Sequence, residues 1–163
     1  MPLSWYTSKL HSTRGTRLHL PGFPSSRRSC LSTESPRTGS ETILLVEDDD
    51  AVRAVAERAL LRFGYDVLAA ARGEDALRIA EEHPDQIDLL LTDIMMPGMN
   101  GVEVAASVAR ARPGIQVFFM SGYADQDLVR QGLLEAGTHF LQKPFTPQEL
   151  ASRIRGILDV QRG

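Results

Sequence analysis

Short runs of almost wholly apolar residues, each one strand long and each ending in polar side chains, constrain this chain more than any other feature. Ile43-Leu44-Leu45-Val46 runs into Glu47-Asp48-Asp49-Asp50, Leu89-Leu90-Leu91-Thr92 into Asp93, and the stretch from Ile115 to Met120 into Ser121-Gly122. A strand with one wet face alternates apolar and polar residues, whereas a continuous run marks a strand covered on both faces. Between the runs the period changes. Ala51 to Phe63 carries Val52, Val55, Ala59, Leu60 and Phe63 at helical spacing and closes at Gly64.

The same reading predicts strands over Tyr65–Ala69, Ile87–Thr92 and Thr138–Leu141. It predicts helices over Gly73–Glu82, stopped by His83-Pro84, and Gly101–Arg112, ended by Pro113-Gly114. Two more helices are expected, over Asp125–Ala136 before Gly137, and from Thr146 to about Val160 with Pro147 in the first turn. Five strands alternating with five helices call for an α/β fold, because each return to a parallel strand needs a crossover helix. The expected architecture is a doubly wound parallel sheet in the order 2-1-3-4-5, flavodoxin-like, whose sites lie beyond the carboxyl ends of the strands.

That rule gathers a specific set of side chains. Strand one ends in Glu47 and Asp48, strand three in Asp93, strand four in Ser121, and strand five, through Gln142, in Lys143-Pro144-Phe145. A carboxylate at the exit of a buried strand is held rigidly yet stays reachable, which makes Asp93 the candidate nucleophile. Three carboxylates in one crevice repel one another unless a cation neutralises them, and Mg2+ is the hard, oxygen-seeking ion that suits them. Lys143 adds a fixed positive charge, and the ensemble suits phosphoryl transfer. Taken singly the residues have plainer readings: Asp93 as a turn carboxylate, Lys143 as a surface lysine, Ser121 as part of an ordinary turn. Asp49 and Asp50 read as capping residues for the first helix. Met95, Met96 and Met99 read as loop packing, and His11, His19, His83 and His139 have no ligand-like spacing.

Together these motifs resemble the receiver (response regulatory) domain of two-component signal transduction, CheY-like, over roughly residues 41 to 160. The runs Met-Ser-Gly-Tyr-Ala (120–124) and Phe-Leu-Gln-Lys-Pro-Phe (140–145) look most like receivers of hybrid histidine kinases. The resemblance implies that Asp93 is the phosphoacceptor. It makes Asp48 a direct Mg2+ ligand and Glu47 one acting through water, with the backbone carbonyl of Met95 completing the protein's share of the metal shell. Ser121 would be the switch hydroxyl, Lys143 the lysine that contacts the phosphoryl group, Pro144 a proline joined through a cis peptide bond, and Phe140 the switch aromatic. Its implied partners are a histidine kinase or histidine phosphotransfer domain upstream, and downstream a protein target reached through the face formed by the 125–136 helix, the fifth strand and the last helix. No nucleic-acid or membrane contact is implied. The protein would be a monomer or weak homodimer that catalyses only its own phosphorylation and dephosphorylation. Glu47 stands where many relatives carry aspartate, and Phe140 lacks a tyrosine's hydroxyl. The rival class is a phosphatase or small phosphotransferase using the same crevice, but the Asp-x-Asp-x-Thr signature of aspartate-nucleophile phosphatases is absent, since Ile94 and Met95 follow Asp93.

Charge divides the chain. Residues 1–40 hold six basic residues against one acid, Glu34, amid Ser, Thr, Pro and Gly, leaving twelve basic and twenty acidic residues in 41–163. A basic tail without apolar period is expected to stay disordered and to read as a linker, with a transit-like presequence or a nucleic-acid-binding arm as alternatives. Residues 41–163 are the expected receiver. The last helix runs almost to Gly163, so no DNA-binding output domain is expected to follow. No apolar run approaches the ~18 residues a membrane span requires, and the lone Cys30 fits a reducing compartment. The expected location is the cytoplasm.

Overall fold

The computed structural model describes residues 39–122 and 138–160. In chain order these form β1 (Thr42–Val46), α1 (Asp50–Arg62), β2 (Asp66–Ala70), α2 (Gly73–Glu82) and β3 (Leu89–Asp93). They continue with α3 (Gly101–Ala111), β4 (Gln116–Ser121), β5 (His139–Gln142) and α4 (Pro147–Val160). The expected helix over 125–136 and the basic tail as far as residue 38 lie outside the described residues, within which there are four helices. The strands form one parallel sheet in the order β2-β1-β3-β4-β5.

Alternation of side chains across each strand explains why the apolar runs are unbroken. Ile43, Leu45, Leu89, Leu91, Phe118 and Met120 face one core, closed by α1 and α4 through Ala56, Ala59, Leu60, Leu150, Ile154 and Leu158. Leu44, Val46, Leu90 and Phe119 face the other, closed by α2 and α3 through Ala76, Ala80, Val104 and Val108. In the central strands β1 and β3, buried on both faces, polar side chains are few until the strands end. The ends are therefore where the chemistry sits.

The strand limits differ from expectation in one consistent way. β2, β4 and β5 each begin and end one residue later than their apolar runs, and β3 takes in Asp93 itself. Apolar character marks burial, whereas the ladder is set by backbone pairing, which continues through Asp93↔Met120 and Ser121↔Gln142. Tyr65 and Ile87 are buried but lie ahead of their strands; the Tyr65 amide donates to the carbonyl of Leu60 at the end of α1.

Candidate functional site

Parallel register brings four strand ends to one edge. Val46 pairs with Thr92, Asp93 with Met120, and Ser121 with Gln142, so Glu47, Asp93, Ser121 and Lys143 leave the sheet side by side. The Ile94 amide donates to the Met120 carbonyl (3.1 Å) and the Lys143 amide to the Ser121 carbonyl (2.7 Å), carrying the pairing one step past the strands.

At the centre is Lys143. Its ammonium donates to Asp93 Oδ2 at 2.8 Å and to Glu47 Oε2 at 2.7 Å, joining residues 50 and 96 positions away in sequence. Glu47 is 1 % exposed and Asp93 7 %, while Asp48, next to Glu47 in the chain, is open to solvent. One carboxylate oxygen from each of Glu47, Asp48 and Asp93 lies within 4.8 Å of the others, so the three can hold a metal ion. Hard oxygen donors with one solvent-facing member fit a magnesium-type cation, which keeps several waters when bound. Burial pushes the Glu47 carboxyl up by more than the Lys143 ammonium and the Asp49 amide pull it down. For Lys143, burial works against the charged form, but the hydrogen bonds to Asp93 and Glu47 outweigh it and raise the ammonium above 10.5. The lysine is thus firmly cationic, as the neighbour of two buried carboxylates must be.

The walls are built locally. Asp49 caps α1, accepting from the Ala51 (2.8 Å) and Val52 (3.1 Å) amides, and Asp50 opens the helix where its charge favours the dipole. Arg53 pairs with Asp50 and donates to the Glu47 carbonyl at 2.8 Å, pinning the acidic loop to α1. On the other side Met95 lies two residues past Asp93, its side chain exposed, while Met96 and Met99 pack into the α2–α3 core. The peptide bond between Lys143 and Pro144 is cis. Ser121 is buried at the end of β4, and Phe140 is half-exposed on β5, on the face opposite the buried Leu141. An open groove of about 460 Å³ adjoins the cluster, lined by Ala51, Val52, Val55, Gly122, Lys143, Pro144 and Phe145.

One contact escaped the reading of the sequence. A Cβ on Gly101, the first residue of α3, would lie 2.0 Å from the Asp93 carbonyl oxygen, and the Gly101 amide donates to the Ile94 carbonyl at 2.9 Å. The start of α3 can approach the strand end that carries Asp93 only because residue 101 has no side chain. Gly at the first position of a helix, where it is a poor helix former, was the available signal. Arg53 and Thr92, whose hydroxyl donates to the Asp93 carbonyl at 3.0 Å, were likewise unmarked.

Comparison with known proteins agrees with this geometry. Residues 43–155 match the family model described as the response regulator receiver domain. The chain belongs to that family. Over 124 residues this receiver domain is 40% identical to the sensor kinase CckA of Brucella abortus, covering 76% of this chain and 13% of the kinase. It is also 36% identical over 121 residues to the transcriptional regulatory protein YbdJ of Bacillus subtilis, of which it spans 52%. Among solved structures it resembles the receiver domain of the hybrid histidine kinase CckA, with TM-score 0.60 and 42% identity over 72% of this chain and 98% of that one. A CheY-like receiver from Methanospirillum hungatei gives TM-score 0.67 and 31% identity over 76% and 98% of the two chains. The receiver domain is a signalling module, and among its described residues no helix is long and apolar enough to cross a membrane.

Proposed function

We propose that this receiver domain takes a phosphoryl group from a phosphohistidine onto Asp93 and answers by changing its partner-binding face. The observation that carries the reading is the contact between Lys143 Nζ and Asp93 Oδ2 at 2.8 Å, inside a cluster of three carboxylates. An ammonium fixed against a nearly buried carboxylate costs freedom and desolvation, and that cost has a purpose if a more highly charged group is to form there. An Asp93 oxygen attacks phosphorus, the O–P bond forms as the P–N bond breaks, and the imidazole nitrogen leaves with the electron pair. Lys143 then meets the negative oxygens of the acyl phosphate. Magnesium, held by Asp48, Asp93 and the Met95 carbonyl with Glu47 beside it, would neutralise the remaining charge on the transferred group.

The phosphoryl group brings about −1.5 to −2 charges and strong acceptor oxygens to the end of β3. The Ser121 hydroxyl, one strand away, is suited to donate to one of them. Phe140, half-exposed, would turn inward as Ser121 shifts, reshaping the face around β5 and α4. Upstream, the apolar groove along Ala51, Val52 and Val55 gives a donor histidine helix a place to lie beside Lys143. The partners in this reading are a histidine kinase or phosphotransfer domain and a downstream protein. In this reading residues 41–163 make up the receiver and residues 1–40 a basic tail.

Incubation with acetyl phosphate and Mg2+, read by intact mass, tests the proposal. One phosphoryl adduct per chain is expected, lost in the nearly isosteric Asp93→Asn variant with its melting temperature retained. Steady release of phosphate over many turnovers, or an adduct that persists in Asp93→Asn, would reject it in favour of a phosphatase or another acceptor. Lys143→Ala should still bind Mg2+ while taking up phosphate poorly.

A further inference from the structure

We propose that Arg53 of α1 is the positioning residue for Asp48, setting where that carboxylate stands and so how tightly the site takes a divalent cation, a role that rests on the reading of Asp48 as a ligand. The neighbours of Asp48 have partners of their own. The Glu47 amide donates to the Ala70 carbonyl at 3.2 Å, the Glu47 carboxylate accepts from Lys143, and the Asp49 carboxylate caps α1. Asp48 is different: it is open to solvent, and among the described residues no hydrogen bond or ion pair holds its carboxylate. Its direction therefore depends on its backbone.

Arg53 acts on the peptide that joins Glu47 to Asp48. Its own amide donates to the Asp49 carbonyl at 2.8 Å, which places it one turn into α1. Side chains on a helix lean toward its N-terminus, so the guanidinium reaches back over that turn. One of its nitrogens donates to the Glu47 carbonyl at 2.8 Å, and another pairs with Asp50. A trans peptide is planar, so a fixed Glu47 carbonyl also fixes the Asp48 amide on the opposite side and the root of the Asp48 side chain with it. The two bonds need the planar fork of arginine; an ammonium on a flexible stem has no such fixed directions. The sign of the effect separates positioning from plain electrostatics. Arg53 is a cation, and a cation close to Glu47, Asp48 and Asp93 repels an incoming metal ion. Charge alone therefore calls for tighter Mg2+ binding when Arg53 is removed, whereas a carboxylate released from its place calls for weaker binding despite the lost repulsion.

Calorimetric titration of the full chain with Mg2+ alone decides between them. Arg53→Met, which keeps the aliphatic stem, should weaken Mg2+ binding by roughly tenfold, the lower end of what removal of a group that orients a metal ligand costs. Arg53→Lys, which keeps the charge and loses the fork, should also bind more weakly than wild type. In an Asp48→Asn background Arg53→Met should cost nothing further, because the carboxylate it positions is gone. The Mg2+ concentration that gives half the maximal rate of phosphorylation from acetyl phosphate should rise in step with the dissociation constant. Unchanged or tighter Mg2+ binding in Arg53→Met overturns the proposal. An equal loss with and without the Asp48 carboxylate also overturns it, since that marks a general loosening of the fold. Should Arg53→Met fail to fold, Arg53→Lys carries the same comparison, and wild-type affinity in that variant overturns the proposal. Asp48→Asn alone tests the underlying reading: unchanged Mg2+ affinity there removes Asp48 as a ligand, a result distinct from any obtained with the Arg53 variants.

Discussion

In the proposed reaction Asp93 would serve as a rigid acceptor, because its backbone is held from three directions. β1 and β4 flank its strand, the Thr92 hydroxyl donates to its carbonyl, and Gly101 presses against that same oxygen from α3. Gly101→Ala would drive a methyl group into main chain that cannot give way, so we expect a loss of about 1 to 3 kcal/mol from overpacking. Because the push falls on Asp93, phosphorylation should slow by more than the lost stability explains. Chemical denaturation beside labelling with acetyl phosphate checks this; an unchanged midpoint and rate would show that α3 can slide away. The cluster of Glu47, Asp48, Asp93 and Lys143 was legible in the sequence because charged residues follow runs that are largely apolar. Gly101 was not, because its importance comes from a contact with a residue eight positions earlier that no local pattern announces.

Elements were legible wherever burial and hydrogen bonding coincide. α2 spans Gly73–Glu82 as its pattern predicts, because its small buried residues Gly73, Ala76 and Ala80 keep helical spacing as far as the stop at His83-Pro84. Strand ends were misjudged by a residue because ladder pairing continues onto polar side chains. Helix starts carried a signal of their own. Asn100 accepts from the Glu103 amide while Glu103 accepts from the Asn100 amide, both at 3.0 Å, and Thr146 and Glu149 repeat the exchange at α4 with 3.2 and 2.8 Å. Each is a capping box, written as a polar residue followed three positions later by glutamate. Asn100→Ala and Thr146→Ala should each cost about 1 kcal/mol in urea denaturation. The first should also affect phosphorylation, because α3 begins against Asp93; the second should not. Equal effects on phosphorylation would sever the link between the start of α3 and the acceptor.

Across the whole domain, two cores hold a sheet whose opposite ends do different work. The carboxyl ends carry the acidic cluster, and at the other end Glu41, buried just before β1, accepts from Arg155 of α4 at 2.9 Å. That pairing could not be read from the sequence, since its partners are 114 positions apart and neither sits in a motif. Burial alone would raise the Glu41 carboxyl, but the Arg155 guanidinium and the Ser40 amide, bonding its charged form, hold it below 4.5. The unfolded chain therefore takes up this proton at higher pH than the folded one. The stabilisation is present above about pH 4.5 and is lost as pH falls through the lowered value. Glu41→Gln should be less stable at neutral pH and show a flatter acid limb in melting temperature against pH; an unchanged slope would assign the acid sensitivity elsewhere. The account as a whole stands on Asp93 being the residue that takes the phosphoryl group, and trapping tests this most directly. Borohydride reduces an aspartyl phosphate to homoserine, so treatment after acetyl phosphate and Mg2+, followed by peptide mass spectrometry, should find homoserine at position 93 alone and only when both donor and cation were present. Homoserine at another carboxylate, or none at position 93 under those conditions, would contradict it.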